Sequence, residues 1–238
     1  MILSARTGAI VMAVAIVAFG LSPIPAPQFT GYDPGIFPVV IPRPAIQPAG
    51  YAFAIWGLIY GWLAVHGAWA VFARADHPAW QAHRIWLTIS VLLGAGWLFI
   101  APYYPILATV VILIMAATAW GAFLIAPTEP DRWLLSAPLA IYAGWLTAAC
   151  SVSTGVVLAG YGWVSDTWAA LFMLGSVLIG AIFIQSRKPR MPVYGVTVVW
   201  AIVGIVVVNW GDNATVAYVA VAGALVMAAA TVLIALRR

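Results

Sequence analysis

Residues Ala49–Ala73 form the stretch AGYAFAIWGLIYGWLAVHGAWAVFA, which contains no Asp, Glu, Lys or Arg. A helix needs about 20 apolar residues to cross the hydrocarbon core of a bilayer. The composition of the whole chain agrees, because 65% of its 238 residues are hydrophobic and 7% are charged. Soluble domains carry about 25% charged residues. The sequence therefore predicts an integral membrane protein embedded in a lipid bilayer.

Seven further stretches are apolar over about the length of a membrane span. The eight predicted spans are Ala5–Leu21, Ala49–Ala73, Ile85–Ala101, Ile106–Ala126, Trp133–Val157, Trp168–Ile184, Val193–Val208 and Ala214–Leu236. Short connections make consecutive helices antiparallel neighbours, so the predicted fold is an all-α bundle of eight transmembrane helices. The first span could alternatively be a signal peptide, although no clear cleavage site follows it.

The basic residues divide unequally between the two ends of this arrangement. Nine of the ten fall on the side of both termini: Arg6, Arg74, Arg84, Arg132, Arg187, Lys188, Arg190, Arg237 and Arg238. Arg43 alone falls on the other side. Because Lys and Arg in short loops stay in the cytoplasm, we expect a multi-pass protein of the cytoplasmic (inner) membrane with both termini inside. The basic residues are scattered over five segments, so topology explains them better than a nucleic-acid partner does.

The only long connection is residues 22–48, which contain eight prolines and which we call the cap segment. Proline fixes φ and lacks a backbone N–H, so this segment is predicted to form neither helix nor strand. We expect it to lie as an ordered cap over the outer end of the bundle.

Small residues mark positions where helices can approach each other closely. Gly57 and Gly61 form such a pair on the second predicted helix, and Gly94 with Gly96 indent the third. Because these spacings are frequent in apolar helices, ordinary packing within the bundle is the expected role.

Aromatic residues inside the spans indicate a pocket. Phe53, Trp56 and Tyr60 lie at i, i+3 and i+7 and therefore share one helix face beneath the cap segment, while Tyr142 and Trp145 lie three apart on the fifth helix. A buried indole requires a partner for its N–H, which lipid cannot supply. An aromatic cavity would suit a planar hydrophobic ligand. The alternative is aromatic packing between helices.

His66 is the only histidine inside a span, and His77 and His83 are expected to be solvated in a loop. His66 could ligate the metal of a tetrapyrrole or bond to a neighbouring helix. There is no catalytic triad, phosphate loop or Cys-x-x-Cys pair, so no catalytic residue and no metal site are assigned. Cys150, the single cysteine, excludes an intramolecular disulfide.

Three motifs surround this aromatic pattern. Arg43-Pro-Ala-Ile-Gln-Pro48 precedes Tyr51-Ala-Phe-Ala-Ile-Trp-Gly-Leu-Ile-Tyr60, Trp97-Leu-Phe99 lies on the third helix, and Tyr142-Ala-Gly-Trp145 lies on the fifth. Together they resemble the TspO/MBR family, also called the tryptophan-rich sensory protein or translocator protein family. The sequence departs from the family pattern where Ile46 replaces a loop tryptophan.

The resemblance implies a five-helix core over residues 1–160, and three additional helices over residues 161–238 in the same bundle, as in a longer bacterial branch. It implies a pocket between helices, under the first loop, for tetrapyrroles or sterol-like molecules. The expected ligand-binding residues are Arg43, Tyr51, Phe53, Trp56, Tyr60, Trp97, Tyr142 and Trp145.

The predicted function is therefore binding of a flat hydrophobic ligand, with a sensory or regulatory role. No enzymatic activity is assigned, and a tetrapyrrole is the one cofactor-like molecule considered. The alternative is a structural or assembly subunit of a larger membrane complex that could contain pigments, and a homodimer also fits. A transporter is disfavoured because no span core carries Asp, Glu, Lys or Arg.

Overall fold

The computed structural model describes residues 4–27 and 29–236. Arg237 and Arg238, which belong to the predicted charge pattern, lie outside the described residues. The described chain is all helical, without strands, and its eight main helices are α1 (Ala5–Leu21), α2 (Ile55–Phe72), α3 (Arg84–Ile100), α4 (Pro105–Ile125), α5 (Ala137–Gly160), α6 (Asp166–Arg187), α7 (Val193–Asn209) and α8 (Ala214–Leu236). The number of helices predicted from the sequence is thus confirmed.

Six of these helices, extended by adjoining turns, are long and apolar enough to cross a membrane. They are α2 with the 3₁₀ turn Gly50–Ala54, α3 with the turn Pro78–Trp80, α4, α5 with the π-helical turn Arg132–Ser136, α6, and α8. The remaining two, α1 and α7, are apolar but have 17 residues each. The chain is therefore a multi-pass helical membrane protein, and the crossing of all eight helices stays a prediction.

Helix α5 occupies the centre of the bundle and is buried along most of its length. On one side it completes a ring with α2, α1, α3 and α4, in which each helix packs on the next. On its other side α5 packs on α6 and α7, and both of these helices pack on α8. Because α5 belongs to both groups, the predicted parts 1–160 and 161–238 share one continuous interior. The predicted boundary near residue 160 stays a prediction.

Close helix approach occurs at glycines other than the pair predicted on α2. No atom outside the helix lies within 4 Å of a Cβ built on Gly57 or Gly61, so the interpretation that these two glycines pack inside the bundle is wrong. Gly144 of α5 lies against α7, where an added Cβ would be 2.8 Å from the Tyr194 carbonyl oxygen and 2.9 Å from Thr197 Cβ. Direct backbone approach of this kind lets helices pack in lipid without a hydrophobic driving force.

At the end of the bundle where α1 begins, which we call the basic end, basic side chains donate hydrogen bonds to backbone carbonyl oxygens. Arg84 donates to the Ala75 carbonyl oxygen just beyond α2, at 2.8 Å. Lys188 donates to the carbonyl oxygens of Phe123 and Ala126 at the end of α4. Burial lowers the pKa of the Lys188 amine to about 7, and even the neutral amine has two N–H groups for these two acceptors. Lys188 therefore satisfies carbonyl groups that the end of α4 leaves without partners, and Arg84 binds a carbonyl group of the loop after α2.

Asp131 connects two segments at the basic end. Its carboxylate accepts hydrogen bonds from Arg74 Nε at 2.8 Å, from Arg74 Nη2 at 3.2 Å and from Trp80 Nε1 at 2.8 Å. The hydrogen bonds from Arg74, together with the one from Trp80, lower the pKa of this carboxyl group. Asp131 thereby fixes the start of the π-helical turn against the loop after α2.

Replacing Asp131 by Asn is expected to lower the free energy of unfolding by about 2 kcal/mol, because the bonds from Arg74 lose their charged acceptor. A carboxyl group with a lowered folded pKa stabilises the protein above its ordinary pKa of 3.8, and this contribution disappears as the pH falls through the folded value. Unfolding titrations in detergent should therefore show that the difference in unfolding free energy between the unmodified protein and Asp131→Asn shrinks on acidification.

The matched control is Glu129→Gln. Glu129 is 63% exposed and lies 3.9 Å from Arg132 Nε, so its loss should change the unfolding free energy by less than about 0.5 kcal/mol. Equal effects of the two substitutions would contradict the role given to Asp131.

Candidate functional site

A cavity of about 400 Å³ lies beneath the cap segment, within the ring formed by α1–α5. This volume falls within the range of about 300–1,000 Å³ that is typical of small-molecule sites. Five of the eight predicted ligand-binding residues line it: Phe53, Trp56, Tyr60, Trp97 and Trp145. The structure therefore brings the aromatic residues of α2, α3 and α5 together around one space.

The other three predicted residues lie elsewhere. Arg43 is exposed and pairs with Asp212 in the loop between α7 and α8, at 3.3 Å. Tyr51 packs edge-on against Trp200 of α7, with ring centroids 5.5 Å apart. Tyr142 is fully buried, and its hydroxyl group bonds to Ser90 Oγ at 2.9 Å, between α5 and α3. In this arrangement none of the three lines the cavity.

The aromatic wall of the cavity is fixed by contacts among its own rings. Trp56 and Tyr60 are stacked, with centroids 5.3 Å apart, and Trp145 meets Trp56 edge-on at 6.1 Å. Phe53 packs against Trp145 at 5.7 Å, and Phe19 of α1 lies behind Tyr60 at 5.1 Å. Such edge and offset contacts stabilise the rings in place beyond their burial alone. The wall is therefore held in place by the protein's own aromatic contacts.

The indole nitrogens inside the bundle differ in their partners. Trp97 Nε1 donates to the Ala108 carbonyl oxygen at 2.8 Å, and Trp120 Nε1 donates to Thr147 Oγ1 at 2.9 Å. Trp145 is 2% exposed, and its Nε1 has no hydrogen-bond partner among the described residues. A buried donor without a partner costs about 1–3 kcal/mol. Trp145 thus lines the cavity with its ring, while its buried N–H has no partner among the described residues.

Polar groups of the cap segment form a second feature of the cavity wall. Tyr32 of the cap segment and Thr109 of α4 both bond to Ser153 Oγ of α5, each at 2.7 Å. Burial raises the pKa of the Tyr32 hydroxyl group, which is therefore neutral at physiological pH. None of the described residues that line the cavity is Lys, Arg, His, Asp or Glu. The site can accept hydrogen-bonding groups, but it offers no charge to an ionic ligand.

Sequence reasoning missed several residues of the site. Phe19, Phe29 and Tyr32 line the cavity from α1 and the cap segment, and Ala201 and Ile205 line it from α7. The three aromatic residues could have been noticed as large rings next to the prolines of the cap segment. Ala201 and Ile205 carry no signal, because they are ordinary residues of an apolar helix.

His66 lies outside the cavity, near the basic end. Its Nδ1 lies 2.8 Å from the Leu134 carbonyl oxygen, its Nε2 lies 3.1 Å from His83 Nε2, and its ring stacks on Trp80 at 5.0 Å. Both ring nitrogens therefore have protein partners, and ligation of a tetrapyrrole metal by His66 stays a prediction. His83 is 0% exposed, so the expectation that it is solvated is wrong. Among the described residues, no group of three or more His, Cys, Asp or Glu side chains could hold a metal ion.

Comparison with known proteins identifies the family. Neither the curated proteins nor the solved structures contain a match to the chain. A family model described as TSPO-like protein matches residues 41–233, from the end of the cap segment into α8. The match includes the aromatic residues of α2, α3 and α5 that line the cavity, and also α6 and α7. The resemblance drawn from the motifs is confirmed, and the chain belongs to the TSPO-like protein family.

Proposed function

We propose that this protein binds a flat, largely apolar and uncharged molecule in the cavity beneath the cap segment. The observation that carries the proposal is a cavity of about 400 Å³ bounded by the aromatic wall of Phe53, Trp56, Tyr60 and Trp145. A planar ring system would pack against these rings, and polar groups of Tyr32 and Ser153 also belong to the lining. The bound ligand would then serve a sensory or regulatory role.

The chemistry of the lining narrows the class of ligand. Stacked Trp56 and Tyr60 favour a planar ring system. Burying an unpaired carboxylate in such a site would be costly, and the described lining has no basic residue to offset it. A tetrapyrrole therefore fits better as a neutral ester than as a free acid, and no described lining residue is a His or Cys that could ligate its metal. A sterol-like molecule with a keto or hydroxyl oxygen satisfies the same conditions.

The proposed setting is the cytoplasmic membrane, with all eight helices crossing and both termini inside. The support comes from the concentration of basic residues at the end where α1 begins, which is the pattern of cytoplasmic loops. Helices α1 and α7 are short for a full crossing, but they are packed within the bundle, and α7 contributes to the cavity wall.

Tryptophan fluorescence provides the direct test. Purified protein is titrated with protoporphyrin IX and, separately, with its dimethyl ester, and we expect saturable quenching with tighter binding of the ester. Trp145→Phe shortens the aromatic wall and weakens its packing on Phe53 and Trp56, so affinity for the ester should fall about three- to tenfold.

The matched control is Trp163→Phe, because Trp163 is 62% exposed and does not line the cavity. The affinity of Trp163→Phe for protoporphyrin IX dimethyl ester should equal that of the unmodified protein. Binding that does not saturate, or an equal loss in both variants, would overturn the assignment of the cavity as the ligand site.

A further inference from the structure

Ala45, in the cap segment, has both of its backbone polar groups bonded to side chains of the C-terminal helices. Its N–H donates to Oδ1 and Oδ2 of Asp166 at the start of α6, at 3.1 Å each. Its carbonyl oxygen accepts from Asn209 Nδ2 at the end of α7, at 2.8 Å. A single residue of the cap segment is thus held by two helices at once.

The bond from Asn209 is protected from solvent, and the bonds to Asp166 are partly buried. Ala45 is 4% exposed and Asn209 is 2% exposed. Asn209 Nδ2 also donates to the Ile205 carbonyl oxygen at 2.8 Å, which fixes the orientation of its amide. The acceptor on the other side is a carboxylate, and bonds to ionised groups are about twice as strong as neutral ones.

The chain beyond Ala45 remains in contact with α7. The Ala49 N–H donates to the Gly204 carbonyl oxygen at 3.0 Å, and Trp200 Nε1 donates to the Ala52 carbonyl oxygen at 3.0 Å. A Cβ added at Gly204 would lie 2.8 Å from Pro48 Cβ, so this helix and the cap segment meet backbone to backbone. The contact region therefore includes Pro48, which lines the cavity.

We propose that α6 and α7 act as a clamp that holds the cap segment closed over the cavity, with Asp166 and Asn209 as its positioning residues. The proposal rests on the proposed function insofar as it concerns ligand exchange. A ligand that enters or leaves beneath residues 41–48 must first separate Ala45 from both helices. The C-terminal helices thereby set how fast the cavity opens.

The test uses Asp166→Ala and Asn209→Ala in lipid nanodiscs. Hydrogen exchange of peptides covering residues 41–49 should become about tenfold faster or more in each variant, as expected for the loss of a buried hydrogen bond. Exchange in α3 and α4 and the thermal unfolding midpoint should stay near those of the unmodified protein. The dissociation rate of protoporphyrin IX dimethyl ester should rise by a similar factor.

Asp212→Asn is the control, because the Asp212–Arg43 pair joins the same two regions at 3.3 Å with both side chains about 70% exposed. An exposed pair of this kind contributes little, so exchange and dissociation should be unchanged. Faster exchange in a protein that binds no ester at all would support the clamp and sink the proposed function. Unchanged exchange and dissociation in folded Asn209→Ala, or in folded Asp166→Ala, would overturn the clamp.

Discussion

Replacing Ala149 by Trp is expected to abolish ligand binding while leaving the protein folded. Ala149 lies on the face of α5 that lines the cavity, one turn beyond Trp145. An indole at this position would fill much of a space of about 400 Å³ and displace the ligand from the aromatic wall. Because burial of the ligand supplies most of its binding free energy, affinity for protoporphyrin IX dimethyl ester should fall about a hundredfold or more.

Ala64→Trp on α2 is the matched control, since it adds the same indole at an exposed position outside the cavity. Fluorescence titration should show unmodified affinity for Ala64→Trp and none measurable for Ala149→Trp. Filling a cavity adds contacts, so the thermal unfolding midpoint of Ala149→Trp should not fall. Retained binding in a folded Ala149→Trp protein would place the ligand elsewhere.

The aromatic face of α2 could be predicted because its periodicity is explicit. Phe53, Trp56 and Tyr60 share one face by their spacing, and all three line the cavity. This prediction used only the helical spacing of the three residues and the tendency of ligand pockets to be lined by aromatic side chains.

The role of Tyr142 could not be predicted in the same way. Helix α5 is apolar and buried on nearly every side, so its sequence does not show which face meets the cavity. Tyr142 and Trp145 lie three residues apart, yet Tyr142 bonds to Ser90 while Trp145 lines the cavity. Only the packing of α3, α4 and α7 around α5 separates the two.

Long-range partners explain the other differences. Arg43 is the one basic residue on its side of the predicted topology, and the family resemblance implied that it meets a ligand. Its partner is Asp212, 169 residues further along the chain, in a loop that no local pattern connects to the cap segment. Likewise, the lining by Ala201 and Ile205 follows from the position of α7 and not from any chemistry of these side chains.

Gly144→Val is expected to be the most destabilising substitution considered. Gly144 lies within the motif Tyr142-Ala-Gly-Trp145, and an added Cβ would lie 2.8 Å from the carbonyl oxygen of Tyr194, a backbone atom that cannot rotate away. Overpacking of this kind typically costs about 1–3 kcal/mol, and a branched side chain against backbone should reach at least the upper value. Separating α5 from α7 would also move Trp145, so ester binding should weaken together with the unfolding midpoint.

Gly61→Val on α2 isolates the steric cause, because nothing outside the helix lies within 4 Å of a Cβ at that position. The valine there faces open space, and valine also has a better helix propensity than glycine, so its unfolding midpoint should stay equal or rise slightly. If both valines destabilised the protein equally, the cost would come from β-branching and not from the crossing of α5 with α7. A large loss confined to Gly144→Val would instead show that the glycine of the motif maintains the helix contact that orients the neighbouring tryptophan.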